Sequence, residues 1–520
     1  MPVVPRGTIN TTALIVPDLY VQITAPQNLI LNGVPTDVMG VVGTSSWGPV
    51  DQPVIVSSMS DHARGFGPVM PRKHDLGTQV ATAVQQGAQN FRCIRVTDGT
   101  DTAAQANVPG TTVLFTALHS GSLGNTITVA LEPSSRPNAW RLTVVLPGVS
   151  PEVFDNLTGA GAAFWQGLAS AVNGGQGPHR GASQLIVVSH GGAIVEQASF
   201  RITLGSAAAG TDGADGVAGS HLIGIDVSPR RGMYALRGQR CGIVVLADCD
   251  DASTWTTQAS FGIQEGAYMI LTTQAGDQIH AATAAKHLVG LDSYAAKLMF
   301  GDWLWWSDQT NEVIRLVSPQ GFVAGRLANL SPEQSSLNKP LYGIIGSQKS
   351  GTPGSGESAS YSAAEIAVLL EAGIDLISNP QPGGNYWGVR GGHNSSSNPA
   401  VNGDNYTRLT NFIAATLAGG MGRYVGALIN SDLFRNVRAT LMSFLQGMLG
   451  QGLLGSTDGA LPFSVICDRS NNPASRTGLG YVQADVQIQY QSINEKFIVN
   501  VEGGQTVQVA RQTLPSGQPG

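Results

Sequence analysis

At 520 residues, with 42% hydrophobic and only 12% charged side chains, the chain is long enough for several buried cores, and its surface is polar mainly through neutral groups. Its 29 basic and 35 acidic residues, with a formal charge of −6 and only six lysines, give no basic stripe, which argues against nucleic-acid binding. No apolar run is long enough to span a membrane, the start MPVVPRGTINTT has no apolar signal core, and Cys93, Cys241, Cys249 and Cys467 are too scattered for a disulfide framework or a zinc motif. Free, buried thiols are expected, and synthesis in the cytoplasm.

Taken in chain order, residues 1–20 read as an extended arm, because Pro2, Pro5 and Pro17 break any helix between β-branched residues. From Val38 the spacing predicts an α/β unit: strands at MGVVG, PVIVS and FRCIRV, with helices at SDHARGF and LGTQVATAVQQGAQ. Between 99 and 238 short strands with frequent Gly, Pro and Ser take over (VLFTAL, NTITVAL, WRLTVVL, QLIVVS, IVEQASFRITL), with a helix at AAFWQGLASAV. The α/β texture resumes with buried-strand candidates GIVVLAD, GAYMILTT, AKLMFGD and EVIRLVS. The β-rich module is therefore expected as an insertion in a discontinuous α/β domain, 21–98 with 239–400.

The last unit, 401–504, is expected to be α+β. Leu409, Phe412, Ile413 and Leu417 recur at helical spacing, then GGMG interrupts, and Leu433, Val437, Leu441, Phe444, Leu445 and Met448 resume the pattern. Asn430 or Ser431 can cap this second helix and Gly450 can end it in the left-handed conformation. Alternation in YVQADVQIQY and KFIVNVE predicts an antiparallel hairpin joined by QSINE. TVQVARQ follows as a further short strand, either an edge or an arm completing another sheet, and 505–520 form a C-terminal arm.

Residues with chemical potential each have a structural reading as well. Asp248, Asp250 and Asp251 follow a strand, where an acid dyad or metal site is conceivable, but turns and helix caps use Asp in the same way. His280 and His287 are seven apart, which is not the i, i+4 zinc spacing. GSGESA lies in a Ser-rich loop without a preceding βα turn, and the chain has no Gly-Lys dipeptide for a Walker A loop and no GxSxG elbow. Trp303, Trp305 and Trp306 could form a sugar platform or simply pack. No catalytic residue, cofactor or metal ligand is assigned; the alternative is an α/β enzyme or carbohydrate-binding protein using the Asp248 and Trp303 regions.

The order of segments resembles that of the contractile-tailed bacteriophage tail sheath proteins. The likeness begins with TDVMGVVGTSSWGPVDQPVIVSSMSDHARGFGP from Thr36 to Pro68. It continues through NFRCIRV, VLFTALHSGSLGNTITVAL, SPQGFVAGRLANLSPEQSSLNKPLYG and NYWGVRGG, and ends with LINSDLFRNVRATLMSFLQGMLGQGLLG, FSVICD, YVQADVQIQY and FIVNV. This resemblance implies a non-enzymatic virion subunit, a helical homopolymer of stacked rings around a tail tube protein, ending at baseplate and tail terminator proteins. Its extended state is metastable, and contraction drives the tube through the host envelope. It also implies that 99–238 protrudes and that 401–504 faces the tube. Arg435 and Arg438, on one side of their helix, are the expected tube-facing residues. The arms carrying Val3, Val4, Thr8, Ile9, Val507 and Val509 are expected to join subunits by strand addition.

Overall fold

The structure is a computed structural model describing residues 3–4, 21–22, 31, 33–178, 180–191, 195–356 and 359–501, the first two pairs as backbone only. The longest apolar runs become one sheet. Its strands are Met39–Gly43 (β1), Pro53–Val56 (β2), Phe91–Arg95 (β3), Ile243–Leu246 (β4), Tyr268–Thr272 (β5), Ala296–Met299 (β6) and Ile374–Asp375 (β7). They lie in the order β7-β6-β5-β4-β1-β3-β2, all parallel except the edge strand β2. Strands β1, β4, β5 and β6 are buried along their whole length, as a sheet covered on both faces requires.

The helices that cover it are Met59–Phe66 (α1), Leu76–Gln85 (α2), Trp255–Glu265 (α4), Ile279–Val289 (α5), Gln320–Asn329 (α6) and Ala363–Glu371 (α7); α3, Gly161–Gly174, lies in the β-rich module. Phe66, Leu76, Val80, Phe322 and Leu327 of α1, α2 and α6 fill one face, and Trp255, Phe261, Ala282 and Leu369 of α4, α5 and α7 fill the other. Helices α2 and α6 touch backbone to backbone, because Gly321 and Gly325 carry no Cβ; one added at Gly325 would lie 2.4 Å from Ala83 Cα. EVIRLVS, expected as a further buried strand, instead pairs with Leu304–Asp308 in a separate three-stranded antiparallel sheet, leaving Val313 and Ile314 exposed.

The β-rich module builds two sheets, one of four strands and one of three, around a core that includes Phe115, Leu142, Phe154, Phe164 and Trp165. The packing changes before residue 238, the expected end of the module: Val217, Leu222, Met233 and Leu236 belong to the core under α4. The two chain crossings are fastened together at Thr102 and Thr211, which form an antiparallel bridge. Buried Arg95 donates to Gly48 O, Ser120 O and Asp212 O at 2.8, 2.7 and 3.1 Å.

In the last unit Asp404–Met421 (α8) runs straight through Gly419 and Gly420, expected as a break; Leu31 Cδ2 occupies the place a Gly420 Cβ would need. Ser431–Gly450 (α9) is capped by Asn430, which accepts from Leu433 N at 2.8 Å. Gly450 stays helical, and Gly452 takes the positive φ of +76° instead. Among the described residues the expected hairpin of YVQADVQIQY with KFIVNVE does not form. Asp485–Ile488 (β9) pairs antiparallel with Phe463–Ile466 (β8), Phe463 opposite Ile488. FSVI supplies buried Phe463 and Val465 to the same core as α9, so it takes the place that FIVNV was expected to fill.

Candidate assembly surfaces

The crevice beyond the carboxyl ends of β1 and β4 is where the strand order reverses, and sheets of this kind bind ligands there. Here a cleft of about 400 Å³ is lined by Lys73, His74, Cys249, Asp250 and Asp251, and the chain itself takes up Asp248. His74 N and Gln79 Nε2 donate to the two Asp248 carboxylate oxygens at 3.2 and 2.8 Å, and His74 Nδ1 lies 2.8 Å from Ala247 O. Asp251 caps the following turn, accepting from Ser253 N at 3.0 Å, and Asp250 pairs with Lys73 at 2.9 Å. Three aspartates thus do three separate structural jobs. Trp303 and Trp306 are buried, donating to Thr273 O and Gln85 Oε1, and Trp305 is half-buried, so no aromatic platform faces solvent. His280 and His287 are both exposed on α5, and among the described residues no group of three or more His, Cys, Asp or Glu is placed to hold a metal. All four cysteines are free and buried.

Two titratable side chains lie buried beside Gly77, whose missing Cβ would stand 2.9 Å from His62 Cε1 and 3.2 Å from Asp75 Oδ2. Burial pushes His62 down to about 4 and Asp75 up to about 7, the latter against opposition from Thr78 and Arg72. With ordinary values near 6.5 and 3.9, the unfolded chain holds its proton on His62 and the folded chain holds it on Asp75 throughout the interval between about pH 4 and 6.5. The two contributions to the pH slope therefore cancel. His62→Phe should lose stability as pH rises through this interval, and Asp75→Asn should lose it as pH falls, each by up to about 3 kcal/mol. Urea midpoints at several pH values read both slopes; parallel slopes in the two variants would contradict the account.

A charge cluster not anticipated from the sequence joins the sheet to the last unit. Lys297 Nζ on β6 lies 2.6 Å from Asp375 Oδ2 on β7, 3.1 Å from Asp404 Oδ1 at the start of α8, and 2.9 Å from His393 O, with all three charged side chains buried. Tyr268 OH on β5 donates to Asp404 Oδ1 at 2.6 Å, Ser336 N to Asp404 Oδ2 at 3.1 Å, and Gly391 N and Gly392 N to Asp375 at 2.7 Å each. Burial alone would raise Asp404; Lys297, Ser336 and Tyr268 overcome it and hold the carboxyl below its ordinary value. Arg408, one helical turn on, is pushed down to about 10 by burial and donates to Ser331 O and Leu330 O at 2.9 and 2.7 Å. The one sequence signal for this cluster is a lysine inside an apolar strand, since a buried charge must be paired.

The exposed surfaces concentrate in the last unit. A groove of about 640 Å³, lined by Leu417, Met421, Ile429, Val437, Leu441 and Val486, is flanked by Val425 and Leu428, 86% and 85% exposed. Phe497, Ile498, Val499 and Val501 are 82%, 80%, 65% and 85% exposed and have no strand partner among the described residues. Arg435 and Arg438 both lie on the exposed side of α9; Arg435 pairs with Asp432 at 3.0 Å. Of the expected arm residues, Val3 and Val4 form a two-residue parallel ladder with Val21 and Gln22 of the same chain. Thr8, Ile9, Val507 and Val509 lie outside the described residues.

The fold is similar to that of contractile sheath proteins. The sheath tail protein of Desulfitobacterium hafniense matches with a TM-score of 0.56 at 14% identity, over 86% of this chain and 93% of that one. The sheath tail protein of Listeria innocua gives 0.58 at 14% identity, over 84% and 90%. The sheath of an extracellular contractile injection system in its contracted state gives 0.55 at 11% identity, over 95% and 99%. No protein-family model and no curated protein matches the sequence.

Proposed function

We propose that the chain is the structural subunit of a contractile phage tail sheath. It polymerises with itself around a tail tube in a metastable extended state, and its contraction drives the tube through the host envelope for genome delivery. The observation that carries this reading is a sheath fold matched along nearly the whole chain, with 95% of it covered by a contracted sheath. Baseplate and tail terminator proteins would hold the two ends, and no catalytic chemistry is part of the role.

Within it, 21–98 and 239–400 form the sheath body together with the stretch from Val217 to Leu236 that packs into its core, the rest of 99–238 protrudes, and 401–504 faces the tube, with extended connectors at 1–20 and 505–520. Phe497, Ile498, Val499 and Val501, exposed on the β-prone segment that leads into 505–520, support the connector role, since an unpaired strand satisfies its backbone by adding to a neighbour's sheet. The β8–β9 pair, a sheet of only two strands, offers such an edge beside the apolar groove. Arg435 and Arg438, on the solvent side of α9, are placed to bridge an acidic tube surface. Arg435→Glu with Arg438→Glu should leave self-polymerisation intact and reduce co-sedimentation with isolated tubes at least about tenfold, a loss of about 1.4 kcal/mol. Unchanged tube binding would remove these residues from the interface.

A further inference from the structure

Past Ile488, where β9 ends, the chain does not leave the molecule at once. Gln489 N donates to Pro462 O at 2.7 Å. The Tyr490 ring meets Tyr406 edge-on at 5.7 Å, and its hydroxyl lies 3.2 Å from Thr410 Oγ1. Asn405 Nδ2 donates to Gln491 O at 3.0 Å, and Glu495 Oε1 sits 2.7 Å from His393 Nε2. Residues 489–495 are thus laid over the beginning of α8 by these contacts; Tyr490 and Ile493 are half-buried and the other five are exposed, as is every residue of 496–501.

The receptor for this strap is firm. His393 N donates to Asp375 Oδ2 at 3.3 Å and His393 O accepts from Lys297 Nζ at 2.9 Å, so Glu495 is tied to the buried cluster of the α/β sheet. The strap itself is held by neutral bonds and one partly exposed His–Glu pair, each worth far less than a buried ion triad. Pulled from its end, it peels before the unit beneath it unfolds.

We infer that residues 489–495 are a stored length of chain, clasped by His393, Asn405 and Thr410 and released when the terminal segment is pulled. Clasped, the segment emerges at Lys496; released, it emerges after Ile488, seven residues earlier, which frees a stretch of chain at most about 23 Å long. The inference rests on reading the terminal segment as an inter-subunit connector. It gives that connector two lengths, so neighbouring subunits can separate without losing either anchor.

Hydrogen–deuterium exchange on the full chain at non-polymerising concentration tests the clasp independently of the sheath reading. Amides of 489–495 should exchange at least about tenfold faster in His393→Ala or Glu495→Ala, with β4, β5 and β6 unchanged, and the double variant should be no faster than either single one. Wild-type 489–495 exchanging as fast as 496–501, or additive effects in the double variant, would overturn the clasp. A second variant, His393→Cys with Glu495→Cys joined by a short cleavable thiol cross-linker, tests the length reserve. Assembled sheaths of this variant should fail to contract until the linker is cleaved; contraction with the linker intact would overturn the reserve while leaving the sheath reading standing. If the untreated wild-type chain forms no sheath, it is the sheath reading that fails, and the exchange result still decides the clasp.

Discussion

A chain ending at Lys496, or one lacking residues 1–15, should melt within a few degrees of the full chain and yet form no long polymers. The melting temperature is insensitive because Phe497, Ile498, Val499 and Val501 bury almost nothing in the monomer, so their removal costs little of the hydrophobic stabilisation of about 25 cal/mol per Å². Assembly is sensitive because a lost strand addition removes several main-chain hydrogen bonds and an apolar face from every subunit contact. A loss of even about 3 kcal/mol per contact weakens each association more than a hundredfold, and the losses compound along a polymer. Sedimentation and differential scanning calorimetry on the same preparations separate the two effects. Polymerisation of either truncation at full-chain yield would move the cohesion to lateral contacts of the α/β body.

The second large effect is on folding. Lys297→Met keeps the length of the side chain but leaves the Asp375 and Asp404 carboxylates buried without their counter-ion. Breaking a buried pair in this way costs about 3–5 kcal/mol, a large part of the net stability of an ordinary domain. The variant should unfold at much lower urea and expose the last unit first, because Asp404 is the first residue of α8. Asp375→Asn with Asp404→Asn in the Lys297→Met background removes the stranded charges and should recover part of the loss. A loss below about 1 kcal/mol in the single variant would mean that the carboxylates find other partners and that the cluster is not the clamp between sheet and α8.

What could be read from the sequence follows from how local each signal is. GIVVLAD and GAYMILTT announce strands buried on both faces, because apolar runs of that length have no other home in an α/β protein, and both became central strands. The alternation in YVQADVQIQY showed that one face is dry but not which strand lies beside it; β8, FSVI, carries the same alternation and won the place. Proximity in sequence favoured FIVNV, and packing under α9 favoured Phe463 and Val465. The Lys297 cluster was beyond reach for a different reason: its partners Asp375 and Asp404 are 78 and 107 residues away, so no spacing rule connects them. Asp248, conversely, drew attention by its place after a strand, and only the fold shows that His74 and Gln79 occupy both of its carboxylate oxygens.

Electron microscopy of the purified, concentrated full chain tests the central claim most directly. The sheath reading predicts hollow tubes or stacked rings with an axial channel, in which each chain contributes its terminal segment to a neighbour's β8–β9 sheet. Dispersed single particles at every concentration, with and without isolated tail tubes, would contradict it.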